Sequence, residues 1–494
     1  MTADKGPLYA RWPEIEICKD RREAARLRLD TYRDDFTDAV CKLVDQRVAD
    51  AATAAEVKKF VTSAHNLAGS VVDLVNVAYR SNVRRTLRGA DDATVRAFAD
   101  LVAESGLPES GTMLSALAWI GGPLVLLPYV DAVRGVPRLC IDVVTPDRYE
   151  ARRSASAPDV LDAVLVFRED GTFAQVDAAG WSYHDADGFP LDGGAHDRPH
   201  GVGFCPAVPF RSRERVPFDW WNSCDHAGLI EGTHEIAYLH ALGRWTRGQT
   251  SVPLTVVRVN DAEKIPKLQA LGHPSRPLVV EGSPAEVDVK VLDRRTDPAQ
   301  YLAEIGALAA ACVQRYGVPP AAVTTVANNN EWGSIAIAMT PGALAVQRDK
   351  ATPWLRASER ALWASVAAVV RSSDHRHARA LPDAEAFEAA LRVAFPDLRD
   401  PAEQIKRTQA LKERLPLGLA SLIGDILEAR PEVPEAEAAE ELADNLEVYV
   451  STIVPLVERN VPKDPGPARG VETPAQVNGR DGGLASGEAR RAAA

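Results

Sequence analysis

Four short constellations in this 494-residue chain hold residue types that could carry chemistry, and spacing decides against each. Gly243, Gly248 and Thr250 stand at P-loop intervals, but Gln249 occupies the place of the phosphate-binding lysine. That segment also closes a helical pattern instead of joining a strand to a helix. His234 and Glu235 begin a zincin-like helix whose second histidine should be residue 238, which is Tyr238. His240 lies six residues beyond His234, about 240° round a helix, so the two imidazoles cannot share a zinc ion. Cys224, Asp225 and His226 are consecutive and diverge on a helix; they read as one buried thiol beside two polar groups at an interface or in solvent. Asp185, Asp187 and Gly188 resemble a calcium loop, yet the glycine comes too early and no glutamate follows at the required distance. The same stretch carries His184, His196 and His200 among Gly193 and Gly194, which reads either as a divalent-metal loop or as a solvated one. No Gly-x-Ser-x-Gly elbow occurs, and Gly201, Gly203 and Pro206 do not complete a dinucleotide fingerprint. The sequence therefore reads as a non-enzyme, with no cofactor expected.

Bulk properties narrow the class further. Hydrophobic residues make up 46% and charged residues 26%, the composition of an ordinary folded chain. At roughly 150 residues per domain the length suits about three domains, or one subunit with several substructures. Lys and Arg number 57 against 69 Asp and Glu, a net charge of −12 that disfavours tight, non-specific DNA binding by broad phosphate neutralisation. Six cysteines without CxxC spacing fit reduced thiols in a cytoplasmic setting. Charges at Asp4, Lys5, Arg11, Glu14 and Glu16 occupy the stretch where a secretory signal needs an apolar core. Ser110 to Val130 is uncharged, but Gly121, Gly122, Pro123 and Pro128 cut it into a short helix and a core strand, so no membrane span is expected.

Several elements can be placed along the chain. Leu27, Phe36, Val40, Leu43, Val44 and Val48 recur at helical steps, predicting an amphipathic helical layer from about 20 to 105. A hairpin is predicted from Leu124–Val130 and Arg138–Thr145 around Arg134 and Gly135. A second runs from Ala163–Phe167 and Thr172–Val176 around Asp170 and Gly171. A helix from about Asn222 to Arg247 is weakened by Gly228, Gly232 and Gly243 and needs neighbours. Strands follow at Leu254–Val259, Leu278–Val280 and Val287–Leu292. Asp297 and Pro298 then cap and begin a helix that Gly317, Pro319 and Pro320 end after Tyr316. Beyond the polar segment Thr324 to Gly333, an Ala-rich pattern from Ser334 to about Val370 predicts a long helix that Pro341 and Pro353 kink or interrupt. A strand at Leu391–Phe395, helical pieces over 401–429, an acidic run through Glu435, Glu437, Glu440, Glu441 and Asp444, and a disordered tail beyond Val461 complete the reading. The order is helix, small β insertion, helix, polar loop and long broken helix. Two helices with a β module at their far ends call for lateral neighbours, and so for a ring or bundle.

The run from His200 to Phe210, with Pro206, Val208, Pro209 and Phe210, followed by the helix bearing Leu229 and Ile230, resembles the start of the stem in tailed-phage portal proteins, the head-to-tail connectors. The later order is similar to that family as well, although Gly333, Ser334 and Ile335 stand where a Ser-Gly helix start is more usual. The resemblance implies an α+β, portal-like subunit that assembles as a dodecameric ring. Its parts would be a helical and β wing (1–215), stem helices (216–249 and 297–320), a small α/β clip (250–296), a tunnel loop (321–333), a long kinked helix with wing return (334–400), a helical crown (401–460) and a tail (461–494). It further implies a virion location at one capsid vertex after assembly in the host cytoplasm. Partners would be the major capsid protein, the terminase large subunit, an adaptor or head-completion protein, and double-stranded DNA passing through the channel. Thr324, Thr325, Asn328, Asn329, Asn330 and Glu331 would then line the channel, the Thr and Asn side chains offering DNA replaceable hydrogen bonds without fixed charge and Glu331 discouraging tight binding, while Trp332 packs the loop base. The three asparagines read equally well as an ordinary turn cluster. Lys264, Lys267 and Arg276 would meet terminase and the adaptor, or be solvated cations of a stable hairpin. A non-viral helical scaffold and an enzyme with an unrecognised site remain as alternative classes.

Overall fold

In the computed structural model, the residues described are 6–80, 83–155, 157, 160–191, 198–213, 221, 226–250, 254–259, 278–281, 291–292, 298–318 and 341–395, with 439, 442 and 443. The chain divides into two units, Met1–Arg407 and Thr408–Ala494, and almost everything described belongs to the first.

Helix and sheet are mixed throughout, as the α+β reading expects. The N-terminal layer contains α1 (Pro7–Arg11), α2 (Glu14–Ile17), α3 (Lys19–Tyr32), α4 (Thr37–Arg47), α5 (Ala51–Lys58), α6 (Leu67–Val75), α7 (Asp92–Ser105) and α8 (Leu107–Gly121). Local chemistry sets their ends. Asp50, Asn66 and Asp91 each accept a hydrogen bond from a backbone N–H three residues on, and Gly106 takes φ 62° to end α7 and begin α8. One element interrupts this expected all-helical stretch: β1 (Arg84–Leu87) pairs antiparallel with β12 (Leu391–Ala394). Its Arg-Arg-Thr-Leu sequence hides it, because a strand in a two-stranded sheet with half-exposed faces carries little apolar alternation.

The uncharged segment at 110–130 forms the end of buried α8 and the start of β2 (Leu124–Val133), and no described helix is long and apolar enough to cross a membrane. β2 pairs with β3 (Val136–Val144) through the expected turn, where Arg134 and Gly135 adopt φ 55° and 79°. The other edge of β2 takes β8 (Val208–Phe210), a strand supplied by the proline-bracketed run. β4 (Tyr149–Arg153), β5 (Leu161–Phe167), β6 (Phe173–Asp177) and β7 (Trp181–His184) form an antiparallel meander, with Gly171 at φ 81° in the β5–β6 turn.

Alternation along β2 joins two cores. Leu124 and Leu126 enter the main core with α6, α7 and α8, whereas Val125 and Leu127 face the meander's Tyr149, Val164 and Val176. A strand buried on both faces reads as a continuous apolar run, which explains the membrane-like appearance of the sequence. The meander's other face, Leu165 and Phe173, is covered by Leu8 and Trp12, and the Trp12 indole donates to Gln175 at 3.0 Å.

The C-terminal half of the first unit holds α9 (Ala227–Thr250), β9 (Leu254–Val259), β10 (Leu278–Glu281), β11 (Val291–Leu292), α10 (Pro298–Gln314), α11 (Pro341–Arg371) and α12 (Ala384–Ala390) before β12. β9 is central in its small sheet, with β10 parallel and β11 antiparallel to it. Pro353 does not interrupt α11, which continues through it for 31 residues, about 46 Å. Pro341 is the first residue of that described helix, where a missing N–H has no cost.

Candidate functional site

The seam between α9 and α10 decides where the small β module sits. Gly232 faces Cys312, so closely that a methyl group at 232 would overlap the sulfur, whereas a methyl group at Gly243 would meet the Tyr301 ring at 3.8 Å, an ordinary contact. Numbers rise on one helix as they fall on the other, so the pair is antiparallel, and both connections to the β9–β11 sheet leave from the same end. Of the glycines that weaken α9 as an isolated helix, Gly232 is the one whose missing side chain lets α10 approach it.

Histidines fix the opposite end. His226, read from the sequence as polar at an interface or in solvent, is fully buried. Its ring stacks on Trp119 at 4.0 Å and bonds the Trp119 carbonyl through Nε2 at 2.9 Å and the Tyr316 hydroxyl through Nδ1 at 3.0 Å. Burial, then the nearby Arg213 charge, pulls its pKa down to about 3, although the bond to Trp119 opposes the shift. The neutral ring therefore donates from Nε2 to the carbonyl and accepts the Tyr316 hydroxyl at Nδ1. One imidazole in this way ties the start of α9, the end of α8 and the segment after α10 together. Cys224 and Asp225 lie outside the described residues.

Farther along α9, His234 stacks on Phe36 at 5.4 Å and its Nε2 bonds Thr31 Oγ1 at 3.0 Å. The Thr31 hydroxyl already donates to the Leu27 carbonyl at 2.7 Å, so the imidazole is the donor in this pair. Glu235 instead meets Arg47 at 2.5 Å. The would-be zincin residues thus have unrelated structural partners, in line with the 240° separation.

α11 is anchored by a buried ion pair. Glu359, wholly buried, receives the Arg85 guanidinium at two points and the Tyr79 hydroxyl at 2.7 Å. Burial and the neighbouring carboxylate push the Tyr79 phenol well above its usual range, so it remains a donor. Lower on the same face, Trp363 meets Phe98 edge-on at 5.2 Å, and Phe98 meets Phe387 at 5.3 Å.

No protein-family profile and no curated protein matches this chain. A solved structure described as "Neck of empty GTA particle computed with C6 symmetry" is similar over 75% of this chain and 94% of that chain, at 15% sequence identity and a TM-score of 0.39.

The residues expected to meet DNA, Thr324, Thr325, Asn328, Asn329, Asn330 and Glu331, lie outside the described residues, as do Lys264, Lys267 and Arg276 of the expected clip. Within 184–200, the described histidines do not converge. His184 Nε2 contacts Arg11 at 3.1 Å, while His200 Nε2 bonds the Asp177 carbonyl at 2.7 Å and its Nδ1 accepts from Val202 N–H at 3.2 Å. Asp185 serves as a turn former, its Oδ1 accepting from the N–H groups of Asp187 and Phe189. Among the described residues no group of three or more potential ligands is placed to hold a metal ion. Sequence reasoning singled out His226 but not its burial, and it missed Glu359 and Arg85. Only the tertiary partner makes a lone histidine or glutamate in an amphipathic pattern distinctive.

Proposed function

We propose that this chain is a subunit of a phage-like head-to-tail assembly, and within that class a portal subunit. The reading is of a ring, expected to hold twelve copies, at one capsid vertex, through which double-stranded DNA is packaged and ejected. The observation that carries it is the antiparallel α9–α10 pair with a three-stranded module between the two helices in sequence, followed by the 31-residue α11. That is the stem, clip and long-helix order of the portal resemblance, and a helix pair of this kind buries its remaining faces against neighbouring copies. Terminase and an adaptor protein would dock on the clip, and the capsid protein would surround the wing. The segment 321–333 would meet DNA through Thr324, Thr325, Asn328, Asn329 and Asn330, whose uncharged groups form weak, replaceable contacts to phosphates. The chain is read as a conduit with no catalytic role.

Negative-stain microscopy and mass photometry of the purified protein, alone and with the capsid protein, test this reading. Rings with a central hole and a mass near twelve times 53.3 kDa are expected. A 53.3 kDa monomer at every concentration and with every partner overturns it.

A further inference from the structure

A cavity of about 230 Å³ opens between the C-terminal half of α9, the first two turns of α10 and His65, two residues before α6. Its polar lining comes from His65, His240, Arg244, Thr246, Arg247 and Tyr301, with Leu239, Leu302 and Ile305 as its apolar floor. Among the described residues the lining holds no carboxylate. Of the described acids on the two helices, Glu235 is held by Arg47, and Glu304 is exposed outside the cavity. His65 and His240 lie face to face, ring centroids 3.8 Å apart and 11° from parallel, which aligns two imidazole edges on one wall. Arg244 and Arg247 are exposed on α9 one turn apart, and neither has a carboxylate partner among the described residues.

We propose that this cavity is a binding site for a tetrahedral oxoanion of the phosphate class. The guanidiniums of Arg244 and Arg247 supply charge-assisted bonds, and the Tyr301 hydroxyl and imidazole N–H groups complete the donor set. The volume lies below the roughly 300 Å³ at which drug-sized ligand pockets begin, a size suited to a single phosphate or one phosphodiester group. The electrostatics agree with the geometry. Burial first, then each other's proximity and the Arg244 charge, lowers His240 to about 4, and burial and Arg244 lower His65, as expected for a site holding uncompensated positive charge. The inference does not depend on ring assembly.

Titration calorimetry of the full chain with inorganic phosphate, in sodium chloride of matched ionic strength, tests it. Saturable binding is expected, and the Arg244→Gln, Arg247→Gln double variant should bind at least tenfold more weakly. Both side chains are exposed, so the variant should retain the wild-type melting temperature. Competition by a short DNA duplex would identify the natural group as a backbone phosphodiester; saturable binding without competition would identify free phosphate. Absence of phosphate binding above the chloride control, or unchanged affinity in the folded double variant, overturns the proposal.

Discussion

Glu359 on α11 and Arg85 on β1, 274 positions apart in sequence, meet through two hydrogen bonds of 2.6 and 2.7 Å, with the carboxylate wholly removed from solvent. A buried pair of this geometry is expensive to break from one side, because the remaining charge has no water and no partner. Glu359→Ala should therefore lower unfolding free energy by about 3–5 kcal/mol, read as a shift of the urea midpoint. The Arg85→Met, Glu359→Leu double variant should lose markedly less than the two single changes summed. Additive losses would mean that the two side chains do not act as a pair.

The helix seam predicts opposite outcomes at two glycines. Gly232→Val forces Cys312 and the backbone apart and should cost about 1–3 kcal/mol, seen as a lower melting temperature by circular dichroism. Gly306 lies in α10 with nothing within 4 Å of an added methyl, so Gly306→Ala should stabilise by about 0.5–1 kcal/mol. Equal effects at both positions would place the two helices at a different separation.

Acid should loosen α9. His226, His234 and His240, and His65 packed on the last of these, all have pKa values lowered chiefly by burial, with His226 near 3 and His240 near 4. In each case the unfolded chain takes up a proton at a higher pH than the folded chain. Stability is thus full above the unfolded value of about 6.5 and falls as pH drops through the window down to the folded values. His226 alone contributes a slope of at most about 1.4 kcal/mol per pH unit between roughly 6 and 3. Urea midpoints measured at pH 7.5, 6.5, 5.5 and 4.5 should decline below 6.5, and the decline should be shallower in His226→Gln. A flat profile would mean that these rings are solvated.

The clip reading makes a separable prediction. Lys264→Glu, Lys267→Glu and Arg276→Glu together should leave ring formation intact while lowering terminase or adaptor binding in a pull-down. Unchanged binding would remove these three cations from the docking surface. In the same spirit, a photocrosslinker at Asn329 should capture DNA in packaging intermediates, whereas one on an exposed wing residue such as Val160 should not.

Legibility followed the range of the interactions involved. Both hairpins could be read because Arg134-Gly135 and Asp170-Gly171 encode their turns locally. The Asp297-Pro298 signal placed the start of α10, and Leu391–Phe395 had enough alternation to mark β12. β1 escaped notice because its pairing partner lies some 300 residues away and only one of its four side chains, Leu87, is apolar. β8 was hidden among prolines that an internal strand seldom tolerates; it is three residues long and pairs only with β2. Of the candidate site, sequence indicated the helix order but neither the histidine stacks nor the cation-lined cavity. Those depend on which turn of α9 faces His65, Trp119 and Thr31, and no local period carries that information.

The pairing of β1 with β12 also has a temporal meaning. A chain leaves the ribosome from its N-terminus at about 5–20 residues per second. Arg84 through Leu87 must then wait for Leu391 through Ala394, and Phe98 for Trp363 and Phe387. For tens of seconds the N-terminal residues of the main core lack its far wall, exposing Val71, Leu101 and Leu114 to any other nascent copy. Contacts of such long sequence separation slow folding. Expression in a slow-translating or chaperone-poor host should therefore shift this protein toward inclusion bodies, and fusing residues 384–395 ahead of residue 6 would be a direct way to shorten the wait.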